Sequence, residues 1–265
     1  MNTLQKYFKL YWANGRRSLT INALVIFLAL AIVASLTCLL EVNRSSQDAL
    51  NMQDNYTSWG LTLFLILGLV TGCRTFGVMS RPEGRLTTLT LPASARDKFW
   101  TYMLIYVVGY VMVFMVSYVL VDVLRAAVMS MTSYTELSHC TGLKALFTFQ
   151  PAHQAFGEIL TPYIVAIYAL AFMLMSFGAL GSIVFPRHTV LVTIAVLFAF
   201  QIVCTVLLTV SMVMFFSDNT YYIPRFGMST VNSLYLTAAV MTAVAVFNYW
   251  LSYKRFTESE VQNRW

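Results

Sequence analysis

Apolar residues in this chain come in long unbroken runs, with little of the alternation expected of half-buried strands. A bilayer core of about 30 Å takes roughly 20 residues of helix. Six runs meet that length, at about 21–40, 59–79, 100–121, 162–185, 189–216 and 231–252. The pattern predicts an all-α membrane protein, one transmembrane domain of six helices. Two stretches depart from it. In residues 1–19 the apolar positions Leu4, Tyr7, Phe8, Tyr11 and Trp12 recur at helical spacing, with Lys6 and Lys9 on other faces. That spacing predicts an amphipathic helix lying in the membrane interface, the depth that Trp and Tyr prefer. The first long run is too long for a secretory signal and lacks a small-residue cleavage site, so it reads as a retained span. The second departure is SRPEGRLTTLTLPASARDKFW, residues 80–100, which packs six charged residues and two prolines between the second and third runs.

Composition sharpens the picture. The chain is 58% hydrophobic and 11% charged, against about 45–50% and 25% for soluble domains. A net charge of +6 invites a nucleic-acid reading, but the placement of the charges argues against it. With the N-terminus cytoplasmic, 13 of the 17 basic residues fall inside, including all those of the polar connector. That bias predicts both termini inside, with a cytoplasmic tail at 253–265 and the longest outer loop at about 126–161. The helix of the third span is expected to continue past the lipid through VDVLRAAVMSM, with Asp122 and Arg125 paired at i,i+3.

The chemistry-bearing residues are sparse. Four cysteines stand far apart without a C-x-x-C, which suggests neither zinc nor a redox pair. His139, His153 and His188 fall in loops, and no H-E-x-x-H occurs. Gly181-Ser182 reads as a small-residue packing site with no histidine facing it. No Asp or Glu is expected at membrane depth, which disfavours a self-sufficient proton-coupled carrier. Arg74 falls near the inner end of the second span, where it can snorkel. There is no G-x-x-x-x-G-K-[ST], so the chain has no P-loop of its own.

The connector carries two helix-start patterns. Ser80-Arg-Pro-Glu83 and Ser94-Ala-Arg-Asp97 both fit the capping box. They predict a short helix over about 81–90 along the cytoplasmic face, ended by Pro92, and a cap at Ser94 for the third span. Gly84 and the threonines at 87, 88 and 90 weaken that short helix, so the interface or a partner must hold it. The alternative is a solvated loop whose charges only set topology. Arg85 followed by Leu91-Pro92-Ala93-Ser94-Ala95-Arg96-Asp97-Lys98-Phe99-Trp100 resembles the LP-x-S-x-x-[ED]-K segment of ATP-binding-cassette exporter permeases of the type 2 family. The six spans, the amphipathic N-terminus and the basic aromatic end NYWLSYKRFTESEVQ are similar to that family too. Asp97 stands where Glu is usual, and the outer segment 217–230 is shorter than in many members.

The resemblance implies a permease subunit of an exporter in the membrane, with a bacterial inner (plasma) membrane as the expected location. It implies that Arg81, Glu83, Gly84, Arg85, Leu86, Pro92 and Ser94 form the docking surface for a separate P-loop ATPase subunit. The chain would bind no cofactor and perform no bond chemistry itself, with ATP and Mg held by the partner. A second permease copy or paralogue would complete the pathway. Nucleic acid is not an expected partner. The competing reading is a stand-alone six-span carrier, channel or signalling partner.

Two further patterns concern a path and a seam. Tyr102, Tyr106, Tyr110, Phe114 and Tyr118 repeat every four residues, a ridge that wraps the third span slowly. Tyr106, Tyr110 and Phe114 are candidate pathway residues, although helix packing is the favoured account of the ridge, with Tyr110 then needing a hydroxyl partner. Gln201, mid-span in the fifth run, must either hydrogen-bond inside protein or line a wet cavity. Gly68 and Gly72 form a G-x-x-x-G that suits a dimer seam or packing within one subunit.

Overall fold

A computed structural model describes residues 3–42, 49–77, 94–131, 146–147, 160–185, 188–216 and 230–262. Among these residues the fold is all-helical, without strands. Six long helices run in order: α1 Thr3–Val42, α2 Ala49–Arg74, α3 Ala95–Ser130, α4 Leu160–Val184, α5 Thr189–Phe216 and α6 Thr230–Gln262. Five are long and apolar enough to cross a membrane, over Leu19–Leu40, Asn55–Arg74, Ala95–Ser130, Leu160–Val184 and Val231–Glu258. Such a set of helices is compatible with an integral membrane protein. In α5 the described apolar stretch is shorter, Thr189–Val203.

The helix starting at Thr3 continues without interruption into the first span. The expected interfacial segment and the span are thus one rod of 40 residues, about 60 Å at 1.5 Å per residue. The sequence between them explains this. It offers one weak breaker, Gly15, and no proline, and a single glycine costs only about 1 kcal/mol. The third helix also outruns its expected length, as VDVLRAAVMSM predicted, and reaches Ser130.

The centre of the bundle is the α2–α4 pair. Its contact is built from glycines. A Cβ on Gly72 would sit 2.5 Å from the Met175 carbonyl oxygen, and one on Gly178 would sit 2.7 Å from both Cys73 N and Leu69 O. A Cβ on Gly68 would meet the Met175 and Tyr110 side chains. Gly68 and Gly72 therefore pack against α4 within this chain, one of the two readings that the G-x-x-x-G allowed. Close backbone approach is what small residues provide where lipid removes the hydrophobic drive. Gly72→Ala is expected to cost about 1–3 kcal/mol, because the obstructing atoms are backbone and cannot rotate aside. Gly77→Ala is its control, since a Cβ there meets nothing within 4 Å. Thermal unfolding of both variants in mild detergent measures the difference.

Polar side chains add further links to α4. Asn248 of α6, buried, donates to Ser176 Oγ of α4 at 3.1 Å. Ser182 Oγ donates to Ala179 O at 2.7 Å and accepts from Phe76 N–H at 3.4 Å. Both bonds of Ser182 are structural, as packing predicted for Gly181-Ser182. His188, just before α5, takes φ 57°, in the left-handed region. Thr193 is buried against Gly181, but the side chains of 198–203 are exposed.

Candidate functional site

Three sites stand out, arranged along α3 from its basic end outward. The first is the root of the polar connector. Of the residues expected to dock a partner, Arg81, Glu83, Gly84, Arg85, Leu86 and Pro92 lie outside the described residues. Ser94 is described, and its hydroxyl accepts from Asp97 N–H at 3.1 Å, the cap that the sequence predicted. What precedes and follows the connector is an aromatic cluster. Phe76, beyond the end of α2, stacks on Phe99 of α3 with centroids 5.4 Å apart. Phe256 of α6 closes on both, at 5.6 Å from Phe76 and 5.9 Å from Phe99. Tyr102 and Tyr253 complete the group. Phe76 and Phe256 are fully buried. Lys98 is also buried beside this cluster. Each aromatic contact adds about 0.5–1.5 kcal/mol beyond area burial. The two roots of the connector and the C-terminal helix are thereby held as one block.

The second site is the middle of α3. All five ridge residues, Tyr102, Tyr106, Tyr110, Phe114 and Tyr118, are buried. An i+4 ridge on a regular α-helix drifts roughly 40° per step. The chain corrects this drift with a π turn over Leu104–Val108, which takes an extra residue per turn. The ridge then packs inward against α2. Tyr110 OH donates to Phe64 O at 2.7 Å, supplying the partner its hydroxyl required. Phe64 also contacts Phe114 edge-on at 4.9 Å. Tyr110 and Phe114 thus serve helix packing, and Tyr106 and Tyr110 also line a cavity between α1, α2 and α3. Gln201 is exposed on the outward stretch of α5, so it neither bonds inside this chain's core nor lines that cavity.

The third site closes the far end of α3. Arg125 donates to Asp122 Oδ1 through Nη2 at 2.9 Å and Nε at 3.1 Å. The pairing follows the i,i+3 spacing, but its burial was not foreseen. Both side chains are 1% exposed. The guanidinium lies 5.5 Å over the Tyr56 ring, which stacks on Tyr118 at 5.0 Å. Tyr56 OH donates to Tyr118 O at 3.4 Å. The signal was present in the spacing: 114, 118, 122 and 125 continue one helical face. Among the described residues no cluster of His, Cys, Asp and Glu could hold a metal ion.

Comparison with protein-family models, with curated proteins and with solved structures finds no match to this chain.

Proposed function

We propose that this chain is the six-span permease subunit of an ATP-driven exporter, with both termini cytoplasmic. In this reading a bacterial inner membrane houses it, and residues 81–90 form a coupling helix that docks on a separate P-loop ATPase. Two copies or paralogues enclose the path, and the exposed Gln201 of α5 faces the second copy. ATP closes the ATPase dimer, the coupling helices follow, and the spans switch the path between the two sides.

The observation that carries the reading is the aromatic block at the connector's roots. A loop that only sets topology needs charge and length, not anchored ends. A lever needs ends that cannot yield, so that displacement of the connector moves α2, α3 and α6 together. Phe76, Phe99 and Phe256 supply such anchorage. The charged stretch between them supplies groups for a protein partner.

The test is purification of the full chain in gentle detergent with mass spectrometry of what accompanies it. A stoichiometric P-loop ATPase is expected. The double reversal E83K/R85E should release it and abolish coupled transport while the chain still inserts in the membrane. A chain that purifies alone at every detergent strength, or a double reversal that keeps its ATPase, would return the connector to a topology signal. The stand-alone membrane protein would then be the better reading.

A further inference from the structure

The cavity beside the middle of α3 is half-open and has a volume of about 340 Å3. That is within the range of sites that enclose small ligands. Its lining changes along its length. Arg16 and Thr20, both exposed, stand at the basic end. Ile26 and Tyr110, both buried, line it farther in. Residues 16 to 26 of a helix cover about 15 Å, half the hydrocarbon thickness of a bilayer. A second guanidinium, exposed and outside the lining itself, is tied to it, for Arg74 Nη1 donates to Asn22 Oδ1 at 2.5 Å. Asn22 itself lines the cavity.

The space exists because α3 is thinned there. The π turn ends at Val108, and the next residue is Gly109, whose missing Cβ would meet only the Leu104 carbonyl oxygen, at 3.9 Å. Packing of the five-aromatic ridge would be served by a π turn followed by any small apolar residue. A glycine opening onto a groove one leaflet deep is not needed for that. π turns inside α-helices concentrate at functional positions.

We propose that this cavity seats an acyl chain of an anionic phospholipid from the leaflet at the basic end, with the headgroup phosphate held by Arg16 and Arg74. Basic pockets between membrane helices recognise such headgroups. A soluble phosphate would leave the apolar wall of Ala23, Ile105 and Val113 empty. A zwitterionic lipid would leave the two guanidinia without a net anionic partner. The inference rests on neither the connector nor an ATPase, so its failure leaves the proposed function standing.

The experiment reconstitutes the full chain in vesicles of equal parts phosphatidylglycerol and phosphatidylcholine. Retained lipid is then counted by native mass spectrometry after extraction. The expected result is retained phosphatidylglycerol at a preference on the order of tenfold, as two basic side chains at the headgroup level confer. R16Q/R74Q should bring the two lipids near parity, and Gly109→Leu, which fills the groove, should lose both. Melting curves keep the test sharp, since R16Q alters an exposed residue and a folded Gly109→Leu that still holds lipid overturns the proposal. Equal retention of both lipids by the unaltered chain overturns it too. Excess inorganic phosphate should leave the lipid in place, and displacement by phosphate alone would mark a simple anion site instead.

Discussion

Replacing Asp122 with alanine is expected to destabilise the folded chain by about 3–5 kcal/mol, the range for removing one partner of a buried ion pair. The size follows from what is left behind. The guanidinium of Arg125 loses the carboxylate it donates to. The Arg125 side chain is 1% exposed, and Tyr56, whose ring it lies over, is itself fully buried. The ring face of Tyr56 attracts a cation, but by about 2 kcal/mol at best when desolvated. That does not replace two charge-assisted hydrogen bonds to one carboxylate oxygen. D122A should therefore unfold at a markedly lower temperature in mild detergent, followed by tryptophan fluorescence. The paired change D122L/R125M should recover most of the loss, because well-packed apolar residues often replace a buried pair without penalty. The exposed pair of α6, Arg255 and Glu258 at 3.6 Å, supplies the contrast. Glu258→Ala should shift stability by less than about 0.5 kcal/mol. If D122A melts with the unaltered chain, water reaches Asp122 and Arg125, and the far end of α3 is open where the packing places it closed.

How much of this was legible in the sequence depends on what sets each feature. Span positions were legible because bilayer thickness fixes run length. The predicted 21–40 and 162–185 lie within two residues of Leu19–Leu40 and Leu160–Val184. The apolar run of the second span, 59–79, starts later than the helix itself, which spans the membrane from Asn55. In the fold the residues just before 59 are already helix, with Tyr56 and Thr57 buried. Local signals with a backbone mechanism also read correctly, as with the Ser94 cap and the Asp122–Arg125 spacing. Facing directions did not. A helix apolar all round has no preferred side, so nothing in α4 or α6 announces that Asn248 meets Ser176. The glycines 68 and 72 signalled close approach but not the identity of the approaching helix, which is α4 of the same chain. The π turn left no trace at all. It answers a packing demand that the five-aromatic ridge creates only once α3 lies against α2.

Phe256→Ala is the change that separates anchorage from mere filling. Truncating a buried phenylalanine costs about 3–5 kcal/mol through lost contacts and the cavity left behind. Phe256 is fully buried and lies within 6 Å of both Phe76 and Phe99, one from each root of the connector. No other ring in the cluster belongs to α6 and reaches both roots at that distance. Its loss therefore uncouples the C-terminal helix from the connector as well as lowering stability. On the proposed exporter reading, F256A, well below its melting temperature, should retain far less ATPase per chain on purification than the unaltered protein. Phe256→Leu, which keeps most of the volume, should retain an intermediate amount. Gly60→Ala is the informative comparison, because its Cβ would press on the Tyr118 ring at 2.9 Å, sixteen residues before Phe76 and so away from the connector. It should lower the melting temperature yet hold its ATPase. If F256A and G60A lose ATPase in step with their melting temperatures, retention simply follows global stability. The aromatic block would then be ordinary core, and the lever would have to be sought elsewhere in the connector.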